Sequence, residues 1–343
     1  MHKMFLILLM LSVLHVVLCK LFIYCSSKYS FFMDVPNNRS SHNVPTPRGL
    51  GIIFGAIWLV MSYAMYTNQE MIIPPMKSFL MVALGVLLIG ILDDMRSLNA
   101  KFRLLCYFGG SIFFMNSFQP IMFFQIGNVV FDLGVLNFSI YSFLMVWSIN
   151  LFNFMDGSDG LALLHGVVIF FFGGMLLAYS GVTLLSGMSL VLAWLLLLSL
   201  MFNFPLFSKA FIGDSGSTFL GFVIAGIALI GQSYYAFPAY LWLMLHGSFL
   251  FDATITLCRR MIRNRSLILV PHKQHAFQRL LSGGWSKTKV LLGCFYLDVW
   301  IALMVVIAWN YPEIATQLVV LELLLLTGVY GLIEKVHPSD HSE

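Results

Sequence analysis

Apolar runs of about 17 to 23 residues recur from one end of this chain to the other, and about 20 such residues suffice for a helix to cross the hydrocarbon core of a bilayer. Eleven can be read, at roughly 3–24, 49–66, 78–92, 103–118, 135–151, 161–179, 182–201, 216–231, 237–258, 289–309 and 314–333. In lipid every backbone N–H and C=O must be satisfied within its own segment, so such runs fold as helices. With 59% apolar and 10% charged residues in a length of 343, an ordinary soluble domain is excluded. The run at 78–92 is short, and 119–136 leaves room for a partly buried hairpin, so ten or twelve spans stay open. The expected fold class is an all-α integral membrane protein of about 10–11 transmembrane helices, a single polytopic domain over 1–343.

Charge order predicts how these spans are oriented. Sixteen of the nineteen Lys and Arg residues fall in alternate connections, at 25–48, 93–103, 203–214, 259–289 and the C-terminal tail, whereas the opposite connections hold only Lys77. The positive-inside rule assigns the basic side to the cytoplasm, with the N-terminus periplasmic and the C-terminus cytoplasmic. Lys3 ahead of an apolar run ending at Cys19 is also how a signal peptide begins. The run is longer than a usual signal core and no small-residue cleavage site follows, so an uncleaved first helix is expected. Cys19, Cys25, Cys106, Cys258 and Cys294 have no pairing or metal spacing and read as packing residues. There is no internal repeat and no nucleic-acid signature, and the net charge of +4 reflects the bias of the inside loops.

Acids are scarce and costly near lipid, so the places where they gather are informative. Segment 150–162 holds Asn150, Asn153, Asp156, Gly157, Asp159 and Gly160 at the end of a span. Three-residue spacing puts the first three in one polar stripe, and the glycines let the backbone turn and approach a ligand. Oxygen ligands beside glycines suggest magnesium and phosphate. Asp93 and Asp94 close the third span with Lys101 and Arg103 following; adjacent carboxylates repel and need a cation, a proton or a partner, unless they are a solvated helix end. In 211–217, Asp214 between Gly213 and Gly216 can cap a helix while neighbouring amides face an anion. Pro45 to Gly49 opens the second span with Arg48 at its end, either a helix-start signal or a phosphate or sugar contact.

The basic loop 259–289 carries Arg259, Arg260, Arg263, Arg265, then Pro271, His272, Lys273, His275, Gln278 and Arg279. Its charge enforces topology or attracts anionic headgroups. Two histidines without a third or a nearby cysteine fit phosphate contacts better than zinc. Within the spans, Asn203 before Pro205 can satisfy loose carbonyls, Asp252 and His246 should face protein or water, and Asp298 can pair locally. The acidic and basic motifs all fall in connections on the basic side. A transporter or flippase of a lipid-linked or anionic solute, the alternative reading, places its key polar residues near the midplane. Clustering at one interface favours an enzyme that joins a water-soluble substrate to a lipid.

Taken together, the motifs resemble the polyprenyl-phosphate N-acetylhexosamine-1-phosphate transferases. The likeness runs from about 45 to 280 and rests on Pro-Thr-Pro-Arg-Gly at 45–49, Gly-Ile-Leu-Asp-Asp at 90–94, segment 150–162, Phe-Ile-Gly-Asp-Ser-Gly-Ser at 211–217, and Pro-His-Lys-Gln-His-Ala-Phe-Gln at 271–278. It implies a multi-pass protein of the bacterial inner membrane with its active site, including loop 259–289, on the cytoplasmic face. The implied reaction passes a sugar-1-phosphate from a UDP-N-acetylhexosamine to undecaprenyl phosphate and releases UMP. The resemblance further implies Mg2+, with Mn2+ as a substitute, bound by Asp214, and leaves room for a homodimer. Asp93 would deprotonate or orient the lipid phosphate, with Asp94 supporting it or the metal. Asn153, Asp156 and Asp159 would hold the nucleotide-sugar and its diphosphate, Asn203 the nucleoside, and His272, His275, Lys101 and Arg48 phosphate or sugar. Direct displacement and a carboxylate-bound intermediate both stay open. The peptidoglycan enzymes of the family carry a run of histidines where this loop reads His-Lys-Gln-His-Ala-Phe-Gln. The difference points towards members that start O-antigen and take N-acetylfucosamine, N-acetylquinovosamine or N-acetylglucosamine. Leu50 stands where many members carry glycine.

Overall fold

The computed structural model describes residues 2–36, 44–69, 73–118, 123–263 and 272–338; Arg265 and Pro271 of the basic loop lie outside them. Helix α1 (His2–Tyr29) is followed by the short strands β1 (Met33–Asp34) and β2 (Thr46–Pro47). Then come α2 (Leu50–Thr67), α3 (Pro74–Met95), α4 (Ala100–Met115), a hairpin of β3 (Phe124–Ile126) and β4 (Val129–Phe131), and α5 (Leu136–Met155). The remainder is α6 (Leu161–Tyr179), α7 (Thr183–Asn203), α8 (Gly213–Tyr235), α9 (Ala239–Leu245), α10 (Gly247–Arg263), α11 (Ala276–Ser282), α12 (Lys287–Asn310) and α13 (Ala315–Val336). The protein is an all-α membrane protein.

Among the described residues nine helices are long and apolar enough to cross a membrane, and α9 with α10 forms one further span bent by 73°. Every apolar run in the sequence therefore has a helical counterpart, two of them with altered length. The short run at 78–92 belongs to a helix of 22 residues, because Pro74 and Pro75 start it early and the two aspartates occupy its last turn. The run at 103–118 yields only the 16 residues of α4, about 24 Å of helix, less than the ~30 Å of a hydrocarbon core. The hairpin expected within 119–136 is present as β3–β4, paired antiparallel.

Lipid offers no hydrophobic drive between helices, so the bundle is held by close approach and interhelical hydrogen bonds. Helix α8 is its axis: 83% of its apolar window is buried, against 11% for α1 and α13. It packs against α2, α3 and α5. Ser148 Oγ on α5 donates to the Gly221 carbonyl at 2.7 Å, and Trp58, Phe79, Phe219 and Phe222 interlock around its middle. Trp58 Nε1 donates across to the Met188 carbonyl of α7 at 2.8 Å. Helix α1 is tied to α7 by Trp194 Nε1 to Ser12 Oγ at 2.9 Å and by a 3.0 Å contact between His15 and Ser199. All five cysteines are free.

The connectivity places the C-terminal ends of α3, α5, α7 and α10 and the N-terminal ends of α4, α6, α8 and α12 at one end of the bundle. The chain ahead of α2 is stitched there to the chain ahead of α8. Phe211 N–H donates to Pro47 O at 2.8 Å, and the Gly49, Leu50 and Gly51 amides donate back to Phe211 and Ile212 carbonyls at 2.9–3.0 Å. These bonds satisfy amides that open a helix and otherwise lack partners. They also bring two motifs together that are more than 150 residues apart in sequence.

Candidate active site

The start of α8 organises the site. Gly213 sits at φ 73°, a left-handed conformation that favours glycine, and a Cβ there would meet Asp94 Oδ1 at 2.7 Å. The Asp94 carboxylate fills that space and caps a helix other than its own. It accepts from the Asp214 and Ser215 amides at 2.8 and 3.0 Å, and from Arg48 Nε and Nη2 at 2.9 and 2.8 Å. Its side chain is 0% exposed. Three of these donors meet Oδ1 and one meets Oδ2, so Asp94 fixes Arg48 and the opening turn of α8.

Asp214 is the open carboxylate, with 23% of its side chain exposed. Its Oδ1 accepts from Asn153 Nδ2 at 2.9 Å, and Asn153 also donates to Ser217 Oγ at 3.0 Å. Its Oδ2 accepts from Arg103 Nη1 at 2.9 Å and lies 3.6 Å from Arg48 Nη2. Arg103 pairs in turn with Asp93, which also accepts from the Leu98 amide at 2.6 Å. Asp93, Asp94, Asp214, Arg48, Arg103 and Asn153 thus form one cluster in which each arginine bridges two carboxylates and the Asp93 and Asp214 side chains also meet directly. Burial opposes the charge on Arg48, yet the carboxylates of Asp214 and Asp94 outweigh it and raise its pKa above the usual arginine value.

Asp156 faces this cluster from the loop between α5 and α6. It is half-buried, and no hydrogen bond or ion pair reaches its carboxyl among the described residues. Burial first, then the nearby Asp214 and Asp94 carboxylates, push its pKa well above the usual carboxylate range. Asp159, on the same loop, accepts from Lys287 Nζ at 2.7 Å and from Ser208 Oγ at 3.3 Å. Asn203 is buried and its amide is fully engaged: its Oδ1 accepts from Gly160 N at 2.8 Å, and its Nδ2 donates to Ala210 O at 2.8 Å and Ser208 Oγ at 3.4 Å. It braces two loops of the site against each other. Asn150 turns back to its own helix, donating to Val146 O at 2.7 Å, so only Asn153 and Asp156 of the sequence stripe reach the cluster.

The histidine loop stands beside the cluster. Among the described residues no hydrogen bond or ion pair joins the two. Asp252 accepts from the Ala276 amide at 2.9 Å and lies 3.5 Å from His275 Nδ1, fixing the start of α11. His272 Nδ1 accepts from the Gln274 amide at 3.3 Å. Burial, aided by His275 and Arg260, holds the His272 pKa down to about 4, so it is neutral near pH 7. The link to the cluster is steric: a Cβ on Gly157 would meet Phe277 Cζ at 2.9 Å and Gln278 Nε2 at 3.3 Å. The side chain of Lys101 is exposed, and its backbone amide is capped by Asn99 at 2.9 Å.

Lys287 is a site residue outside every sequence motif, and Arg103 and Ser217 stand beside or within motifs that gave them no role. For Arg103 the signal was helical phase. Asn99 caps α4, which sets Arg103 and the buried Tyr107, four residues on, on one inward face. No local signal identifies Lys287, which comes from another helix.

Among the described residues no three His, Cys, Asp or Glu side chains form a metal cage. Mg2+ does not require one, since it usually takes one or two carboxylates together with substrate phosphates and water. Asp156, a carboxyl with raised pKa and no donor among the described residues, and the open Asp214 offer the hard oxygen donors that such an ion uses.

The family model described as glycosyl transferase family 4 matches residues 76–232, which include the Asp93–Asp94, 150–162 and 211–217 motifs. A protein of Bacillus subtilis (strain 168) named probable undecaprenyl-phosphate N-acetylglucosaminyl 1-phosphate transferase is 31% identical over 260 residues, 74% of this chain and 71% of that protein. The undecaprenyl-phosphate alpha-N-acetylglucosaminyl 1-phosphate transferase of Escherichia coli O157:H7 is 26% identical, over 87% of this chain and 82% of its own length. The decaprenyl-phosphate N-acetylglucosaminephosphotransferase of Mycobacterium tuberculosis (strain H37Rv) is 28% identical, over 89% and 82%. With a cluster of carboxylates and arginines at one end of a membrane bundle and relatives of this kind along most of its length, the chain belongs to the polyprenyl-phosphate N-acetylhexosamine-1-phosphate transferases of glycosyl transferase family 4.

Proposed function

We propose that this protein transfers an N-acetylhexosamine-1-phosphate from its UDP-sugar to undecaprenyl phosphate, releasing UMP, and so starts O-antigen or a related surface glycan. The observation that carries the reading is the alternation of Asp93, Arg103, Asp214, Arg48 and Asp94 at the mouth of the bundle. Two anionic phosphates must approach each other in this reaction, and positioned cations lower that barrier. Arg48 and Arg103 supply such charge at fixed positions. Asp93, steadied by Arg103 and the Leu98 amide, is the carboxylate to orient or deprotonate the lipid phosphate. Asp214 and Asp156 are the residues to hold Mg2+, which when bound neutralises the diphosphate and favours departure of UMP. Asn153 keeps Asp214 aimed, and Asp159 with Lys287 shapes the loop that receives the nucleotide-sugar.

The positive-inside rule supports a cytoplasmic location for the basic side that carries this site, where UDP-sugars occur. The relatives' names favour N-acetylglucosamine. The loop sequence His-Lys-Gln-His-Ala-Phe-Gln at 272–278, which departs from the histidine run of the peptidoglycan enzymes, supports a 6-deoxy sugar such as N-acetylfucosamine or N-acetylquinovosamine as the other candidate. Purified protein given Mg2+, undecaprenyl phosphate and each UDP-sugar in turn should release UMP with one of them and yield a lipid of the corresponding mass. No UMP from any member of the panel overturns the proposal.

One observation favours the transport reading. At the bend between α9 and α10, His165 Nδ1 lies 2.8 Å from Asp298 Oδ2, His165 Nε2 lies 3.0 Å from His246 Nδ1, and Ser248 Oγ donates to Asp298 at 2.6 Å. Transporters place broken helices at matching positions of related halves. This chain has no internal repeat, and α9–α10 is its one bent pair among the described residues. Transport without UMP formation would select this alternative.

A further inference from the structure

Glu322 lies two turns into α13, ~10 Å from the end of that helix remote from the acidic cluster. It is 4% exposed, and among the described residues no hydrogen bond or ion pair reaches its carboxyl. The side chain extends to the break between α9 and α10, where a Cβ on Gly247 would collide with Glu322 Oε1. Gly247 therefore makes room for the acid. An ionisable group inside a span is costly unless a partner meets it. Asp252 and Asp298, the acids of the neighbouring helices α10 and α12, are each met by donors. Asp252 accepts from the Ala276 amide at 2.9 Å, and Asp298 is held by His165 and Ser248. Glu322 has no such group.

Glu322 and Gly247 line a cavity of about 350 Å3 between α9, α10, α13 and strand β3. The volume falls within the ~300–1,000 Å3 of pockets that hold small molecules. Among the described residues Glu322 is the one charged residue of the lining, Tyr240 and Thr254 are its hydroxyl-bearing residues, and the rest of the wall is apolar. Thr254 Oγ1 already accepts from Trp147 Nε1 at 3.2 Å. Ile255 of α10 and Leu323 of α13 both line the cavity and are 36% and 50% exposed, so it opens between these helices onto the bilayer. The carboxyl also selects the occupant. A metal ion of the hard, oxygen-binding kind needs several ligands, and this wall supplies one carboxyl. A lipid phosphate would bring charge of the wrong sign. An ammonium group carries a positive charge and three N–H donors, with no acceptor of its own to satisfy, and an attached apolar chain covers the remaining wall.

We propose that the cavity between α9, α10 and α13 binds an amphiphile made of an apolar chain and a single primary ammonium group, the ammonium paired to Glu322, at a site remote from the acidic cluster. The site does not depend on which sugar the protein transfers.

Native mass spectrometry of the purified protein with decylamine, decanol or decanoate tests this. The wild type should retain one decylamine with at least tenfold preference over each of the others, and Glu322→Gln should lose that preference. Val319→Phe, which fills the cavity one turn from Glu322 and leaves the acid in place, should lose retention as well. Without amine, the isosteric and uncharged Glu322→Gln should melt no lower than the wild type. A lower melting temperature would show that the protein itself satisfies the carboxyl, and would overturn the proposal. Equal retention of decylamine and either comparison compound by the wild type overturns it, as does equal retention of decylamine by the wild type and Glu322→Gln. A wild-type dimer that Glu322→Gln dissociates would make a second copy of the chain the occupant and overturn it too.

Discussion

Replacing Gly90 by alanine tests whether the contact between α3 and α8 sets the geometry of the site. A Cβ at Gly90 would lie 2.6 Å from Ser215 N and 2.8 Å from the Asp214 carbonyl, where ordinary contact begins at 3.4 Å. Both obstacles are backbone, so no side chain can rotate away. The Ser215 Cα is nearer still, so the helices must part by roughly 1 Å at this point. The hydrogen bond from Ser215 N to Asp94, 3.0 Å long, then stretches to a length at which little of it survives. Arg48 loses the carboxylate that aims it, and Asp214 shifts against Arg103. Overpacking of this kind costs about 1–3 kcal/mol of stability, and a misplacement near 1 Å costs on the order of 10²-fold in rate. UMP release and thermal unfolding in detergent measure both. Gly85→Ala is the control, since nothing lies within 4 Å of a Cβ there; it should keep full activity and gain about 0.5–1 kcal/mol from better helix propensity. A Gly90→Ala protein with a turnover within twofold of wild type would refute the coupling of helix spacing to catalysis.

Asp94→Asn keeps the shape but presents an NH2 to Arg48 or to the amides of α8; breaking this buried pair should cost about 3 kcal/mol, read as a lowered melting temperature, and an unchanged melting temperature would show that the cap is not needed. Lys287→Met leaves the buried Asp159 without its cation, and KM for the UDP-sugar should rise about tenfold, roughly 1.4 kcal/mol, with a smaller change in kcat; the reverse split would place Lys287 on the reacting phosphates. Because burial and neighbouring carboxylates raise the Asp156 pKa, a proton and a divalent cation compete there at higher pH than at an ordinary carboxylate. Mg2+ affinity should therefore increase as pH rises from the ordinary carboxylate range towards neutrality, and calorimetry in two buffers should detect proton release that Asp156→Asn abolishes. The His272 pKa is depressed from 6.5 to about 4, so the unfolded chain binds the extra proton between these values. The stability linked to it is complete above pH 6.5 and is lost as pH falls towards 4, by about 1–3 kcal/mol; a His272→Gln protein that loses stability as steeply in this window would sink the assignment.

The sequence made the bundle legible because membrane helices announce themselves by length and composition. All eleven apolar runs emerge as helices, and their errors lie where local chemistry, not hydropathy, ends an element: the Pro74–Pro75 start of α3 and the Asn99 cap of α4. The carboxylates were legible for a related reason. An acid is expensive in this setting, so Asp93, Asp94, Asp156 and Asp214 could be picked out before any fold was known. What each acid touches was not legible. Asp93 and Asp94 are adjacent in sequence and look alike, yet one faces Arg103 and the other is enclosed by Arg48 and two amides of α8. That difference comes from 100° of helical rotation relative to a neighbour about 120 residues away.

Cations were harder to place than acids because arginine and lysine are abundant on this side for topological reasons alone. Lys101 and Arg103 stand two residues apart and satisfy the positive-inside rule equally well. Only the phase of α4 decides that Arg103 bridges Asp93 and Asp214 while the Lys101 side chain is left exposed. The same degeneracy hides Lys287, one of eight basic residues in 259–289, which reaches Asp159 because α12 begins beside the loop after α5. It applies to Arg259 and Arg279 as well, which meet on one carboxylate only because α13 brings Glu334 to them. A topological signal fixes which side of the membrane a charge occupies and leaves its partner to the packing. In this protein the packing sorts a single basic face: Arg48 and Arg103 bridge the carboxylates of the acidic cluster, Lys287 clamps a loop at Asp159, and Arg259 and Arg279 share Glu334.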